Sequence, residues 1–137
     1  MKIAIIGSRN IFIDDLGSYL PNNVTEIVSG GAKGVDACAR KYATHNKIML
    51  TEFLPEYARY GRAAPLKRNL QIIEYADEVL AFWDGESKGT KFVIDMCKKS
   101  SKKITVIKIG VRSITFNADS STSGCCIIVY EPAISGY

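Results

Sequence analysis

The chain has 137 residues, 47% of them hydrophobic and 23% charged, the proportions of an ordinary globule and not of a disordered chain. Lysine and arginine total 18 against 14 aspartates and glutamates, so the formal net charge is +4. That is too mild to mark a nucleic-acid binder, but it suits an anionic ligand. No apolar run nears the roughly 20 residues of a membrane-spanning helix, and Met1 to Gly7 lack the pattern of a secretory signal. The expectation is one cytoplasmic domain with no membrane partner.

The cysteines form no framework. Cys38 and Cys97 lie singly in helical patterns, Cys125 and Cys126 are adjacent, and His45 is the sole histidine. A structural zinc site needs about four ligands in paired spacing. Reduced thiols are therefore expected, with neither a metal nor a cofactor.

Taken in chain order, Lys2 to Ile6 is an apolar run ending at Gly7, read as a strand buried on both faces. Ile13, Leu16 and Leu20 keep helical spacing behind Asp14 and Asp15, and Pro21 stops that helix. Thr25 to Val28 is the next strand. Val35, Cys38, Ala39, Tyr42 and Ala43 then mark one helix face, and Ile48 to Phe53 a third strand. After a connection from Leu54 to Ala64, Pro65 opens a helix carrying Leu66, Leu70 and Ile73. Glu78 to Phe82 is the fourth strand, Gly89-Thr90 opens the fourth helix, and Ile104 to Ile107 is the fifth strand. This alternation predicts an α/β, Rossmann-like, doubly wound parallel sheet of order 3-2-1-4-5. It assigns residues 1–107 to the core and 108–137 to a C-terminal extension of the same domain. In that extension Ile114 to Phe116 and Ile127 to Tyr130 are read as an antiparallel hairpin or an edge addition.

Three turns follow strand ends and precede helices: Gly7-Ser8-Arg9-Asn10, Ser29 to Asp36, and Asp84 to Thr90. In open α/β sheets ligands sit outside the carboxyl ends of the strands, where strand order reverses. The predicted order brings all three turns to one cleft. Gly30, Gly31 and Gly34 would let backbone amides approach an anion, and the helix opened by Gly89 and Thr90 adds a second favourable terminus. Lys33 supplies a nearby cation. The phosphate-loop and dinucleotide glycine signatures are both absent.

These residues resemble the SLOG superfamily, and within it the small stand-alone YspA/YpsA-like proteins, a domain of unknown function. The resemblance rests on Gly7-Ser8-Arg9, Ser29-Gly30-Gly31-Ala32-Lys33-Gly34-Val35-Asp36, Lys67-Arg68-Asn69, Ala76-Asp77 and the segment Ala81 to Thr90, and covers about residues 1–107. It implies a nucleotide or nucleotide-derived small molecule that is sensed, sequestered or processed. LOG phosphoribohydrolases, in the same superfamily, carry a glutamate three residues after their Gly-Thr; here that position is Val93. Cleaving an N-glycosidic bond needs a carboxylate, and Asp84 and Glu86 are the acids left as weak catalytic candidates. DprA proteins, a further branch, bind single-stranded DNA. The stretch Tyr57 to Arg62 interleaves aromatic and basic side chains as such binding requires. The resemblance also implies a homodimer paired through helices beside the cleft.

The expected phosphate-holding residues are Gly30, Gly31, Ala32, Lys33, Gly34, Gly89 and Thr90, with Gly7, Ser8, Arg9, Ser29, Ser87, Arg68 and Asn69 around them. Asp36, Trp83 and Asp84 are expected to border the base or ribose. Tyr57 to Leu70 holds Arg59, Arg62, Lys67 and Arg68 and no acid, so the +4 of the whole chain can be assigned to this segment.

Overall fold

The structure is a computed structural model and describes residues 1–109 and the backbone of 126–131. The elements are β1 (Lys2–Gly7), β2 (Glu26–Ser29), α1 (Val35–His45), β3 (Met49–Glu52), α2 (Tyr57–Tyr60), α3 (Ala64–Tyr75), β4 (Glu78–Trp83), α4 (Lys88–Lys99), β5 (Ile104–Ile109) and β6 (Cys126–Glu131). The sheet order is β3-β2-β1-β4-β5-β6, and every neighbouring pair is parallel. The expected order 3-2-1-4-5 is therefore present, with one strand added at the edge.

β1 and β4 lie at the centre and are buried along nearly their whole length. Their continuous apolar sequences follow from burial on both faces. Side chains alternate along a strand, so Ala4 and Ile6 join a core with Ile72 and Ile73 of α3 and Val93 and Cys97 of α4. Ile3 and Ile5 point the other way, into a second core with Val35, Ala39 and Ala43 of α1. At the edge, β3 leaves Met49 exposed. No described helix is long and apolar enough to cross a membrane.

One expectation needs correction. No α-helix joins β1 to β2; only a 3₁₀ turn at Leu16–Tyr19 forms. Its reason is local. Asp15 makes no side-chain cap, and the Ser18 hydroxyl donates back to the Asp15 carbonyl at 2.8 Å. Gly17 has low helix propensity, yet a Cβ there would come within 2.8 Å of the Tyr42 hydroxyl. Buried Leu16 anchors the turn. The helix expected from Pro65 is α3; it buries Ala64, Ile72 and Ile73, while Leu66 and Leu70 are exposed. Of the two readings of the tail, the edge addition is the one present: β6 runs parallel to β5, pairing Ile104 with Cys126 through Ile109 with Glu131. The strand expected at 114–116, and hence the hairpin, lies outside the described residues. β5 itself continues to Ile109, past the expected end of the core.

Candidate functional site

Strand order reverses between β1 and β4, and a cleft of about 440 Å³ opens at their carboxyl ends. The three turns meet there. Gly7, Ser8, Arg9 and Asn10 line the cleft from β1, Gly30, Ala32 and Asp36 from β2 and α1, and Asp84, Ser87, Gly89 and Thr90 from β4 and α4. Arg68 and Asn69 of α3 close one side, together with Pro65, Leu66 and Ile72.

Ser8 ties the turns together. It is buried, its N–H donates to the Phe82 carbonyl at 3.1 Å, and its own carbonyl accepts from Ile11 and Val35. Its hydroxyl accepts the Asp84 N–H at 3.3 Å. Asp84 in turn accepts the N–H groups of Glu86 and Ser87, each at 2.8 Å. Burial pushes the Asp84 carboxyl up, but those two amides and the Ser8 hydroxyl outweigh it, and the net shift is downward. Asp84 therefore stays ionised near neutrality and has no proton to give as a general acid.

The glycine turn after β2 is filled by the protein's own charges. Asp36, buried in the first turn of α1, accepts the Ala32 N–H at 3.1 Å. Arg68 donates through Nη1 to the carbonyl oxygens of Gly30, at 2.6 Å, and Phe53, at 3.3 Å. A Cβ on Gly30 would lie 2.5 Å from that nitrogen and 3.0 Å from an Asp36 oxygen. Gly30 is thus required by the fit of this pair. Gly34 has φ +70°, and a Cβ there would come within 2.6 Å of the Ser8 carbonyl oxygen. It allows the first and second turns to touch. Burial raises the Asp36 carboxyl, against the pull of the Ala32 amide and Arg68, while burial lowers the Arg68 guanidinium, against the pull of Asp36.

The turn before α4 is open by contrast. Ser87 caps the helix, its Oγ accepting the Thr90 N–H at 3.4 Å. A Cβ on Gly89 would meet nothing within 4 Å. The amides of Lys88 and Gly89 begin the helix with no acceptor among the described residues, as the first amides of a helix do. Arg9, on the opposite side, is exposed and has no side-chain partner among the described residues. It stands close enough to Arg68 to disfavour that residue's positive charge.

Several expected residues do not line the cleft. Ser29 is buried and its Oγ accepts the Gly31 N–H at 3.3 Å. Gly31 packs against Leu54 and Glu52, and Lys33 is exposed elsewhere. Trp83 donates its indole N–H to the Ser87 carbonyl at 3.0 Å and carries Lys108 over its ring. Glu86 is exposed outside the cleft. The sequence reading missed Pro65, Leu66 and Ile72, and it placed Asn10 in the first turn without counting it among the binding residues. Asn10 belongs to the same turn as Arg9, and the other three share helical spacing with Asn69, which was the available signal.

Val93, one turn into α4, also lines the cleft, so the wall below Thr90 is apolar. Among the described residues no three His, Cys, Asp or Glu side chains gather as metal ligands would. Fold and cleft together define the class: an open, doubly wound α/β protein with a polar crevice at its topological switch point. No family model, curated protein or solved structure matches the chain.

Proposed function

We propose that this is a cytoplasmic protein of the SLOG type that binds a nucleotide or nucleotide-derived small molecule, as a sensor, a sequestering protein or a processing one. The observation that carries the reading is the unequal state of the two turns that lead into α1 and α4 at the cleft. In the turn before α1 the Ala32 amide is already taken by Asp36, whereas Gly89, at the start of α4, has no acceptor for its amide among the described residues and lines the cleft together with Arg9. A phosphate is the anion that such a terminus and a guanidinium hold together. The expected phosphate site thereby narrows to Ser87, Gly89, Thr90 and Arg9, while Gly30, Gly34, Asp36 and Arg68 support it. The apolar stripe of α3 offers a wall for a base.

Binding is favoured over hydrolysis. The carboxylate that glycosidic cleavage needs has an apolar Val93 in its place, and Asp84 is engaged by two amides. A homodimer is the proposed assembly, supported by Leu54, Tyr57, Leu66 and Leu70, which are large, apolar and exposed on or just before α2 and α3. Incubation with nucleoside monophosphates, then gel filtration and chromatography, tests the functional reading. Intact nucleotide should travel with the protein. Free base released at high protein concentration would move the assignment to a phosphoribohydrolase, and no bound nucleotide of any kind would count against both.

A further inference from the structure

Asn69 is the polar group in the middle of an apolar wall. Pro65, Leu66 and Ile72 stand within one helical turn of it on α3, and all four line the cleft. A carboxamide in such a place can offer a donor from Nδ2 or an acceptor from Oδ1, and which end faces a ligand sets what the site reads. Here the choice is made by its neighbour. Arg68 Nε donates to Asn69 Oδ1 at 2.9 Å. Arg68 is itself fixed, because its Nη1 is held by the carbonyl oxygens of Gly30 and Phe53 at the ends of β2 and β3. With Nη1 held by two carbonyl oxygens, the plane of the guanidinium is fixed and Nε stays directed at Asn69. Asn69 Oδ1 is thus engaged, and Nδ2 has no acceptor among the described residues.

We infer that Asn69 is a specificity-determining residue, locked by Arg68 to present its amide hydrogens to the cleft and so to select ligands whose ring carries a carbonyl acceptor at that edge. The inference rests on the nucleotide reading above. A ring packed against one end of this wall, on Pro65 and Leu66 or on Ile72, directs its edge at Asn69 between them. An exocyclic oxygen there gains a hydrogen bond, and an exocyclic amino group meets a second donor and leaves both unsatisfied.

The test uses inosine 5′-monophosphate and adenosine 5′-monophosphate, titrated calorimetrically into the purified full chain; the first carries a 6-oxo acceptor beside an N1–H donor, the second a 6-amino donor beside an N1 acceptor. The wild type should bind the oxo nucleotide about five- to tenfold more tightly, the effect of one hydrogen bond. Asn69→Ala should bring the ratio to about one, and Asn69→Asp, an acceptor in place of a donor, should reverse it. The ratio is the readout, since a merely structural role would weaken both ligands alike. A wild-type ratio near one, or a ratio unmoved by Asn69→Ala, would overturn the inference and leave the nucleotide reading standing. Binding of neither nucleotide nor any other by the wild type would overturn both.

Discussion

Arg68 donates to the carbonyl oxygen of Gly30 at 2.6 Å, across a separation of 38 residues. The guanidinium fills the space that a side chain at position 30 would need, and its charge faces Asp36 there. One contact thus joins the end of β2 to α3 and sets the width of the cleft on that side.

Gly30→Ala should disturb this arrangement. Its methyl group would stand 2.5 Å from Arg68 Nη1 and must displace it. The expected cost is about 1–3 kcal/mol of stability, read as a lower urea midpoint with an unchanged slope. A wild-type midpoint would show that Arg68 moves freely.

Gly89→Ala should behave in the opposite way. Nothing lies within 4 Å of the added atom, and alanine favours a helix interior by up to about 1 kcal/mol. Stability should hold or rise slightly. Nucleotide affinity should fall, because the methyl group stands where a phosphate approaches α4. Unchanged affinity would place the phosphate elsewhere.

Asp36 and Arg68 should couple in a double-mutant cycle. Asp36→Asn leaves a half-buried guanidinium without its counter-charge and should cost about 1–2 kcal/mol at neutral pH, less than for a fully buried pair. Arg68→Met alone leaves the buried Asp36 charge without its neighbouring cation and the Gly30 carbonyl without this donor. The double variant should lose less than the two single losses together. Simple additivity in urea unfolding would mean that the pair does not interact.

Acid and alkali should each weaken the fold through one contact. The Tyr75 hydroxyl, at 2.6 Å, and the Thr51 hydroxyl, at 2.7 Å, both donate to Glu26 and hold its carboxyl below the ordinary value. A lowered folded pKa gives stability that is present above the unfolded pKa and lost as pH falls through the folded one. The same hydrogen bond raises the Tyr75 phenol, so its contribution is present below the unfolded pKa and lost as pH rises through the folded one. Tyr75→Phe should lower stability at neutral pH and flatten both limbs of a stability–pH profile. A profile identical in shape to the wild type would contradict this.

The parallel sheet was readable because β1, β2, β4 and β5 are short apolar runs ended by polar turns, the pattern left by burial on both faces. The three turns were readable because Gly, Ser, Asp and Thr follow strand ends. What escaped is non-local. Nothing near Arg68 announces that its guanidinium is spent on Gly30 and Phe53, or that Asp36 fills the glycine turn intended for a phosphate. The helix expected at Ile13 to Leu20 fails through a competition between Ser18 and Asp15 that periodicity does not register. Leu66 and Leu70 keep helical spacing, yet the core takes Ile72 and Ile73. The direction of β6 depends on the β5 edge it pairs with, and no local turn signal reports that.

The proposed nucleotide site lies between Arg9 and the start of α4. Calorimetric titration of nucleotides into the wild type, Arg9→Gln and Lys102→Gln tests it most directly. Lys102 donates to the Ala76 carbonyl, next to α3's C-terminal end and outside the cleft lining. The wild type should give saturable heat with at least one nucleotide. Arg9→Gln should weaken that binding about tenfold, the loss of one charge-assisted contact, and Lys102→Gln should leave it unchanged. No heat with any nucleotide, or equal losses in the two variants, would contradict the claim.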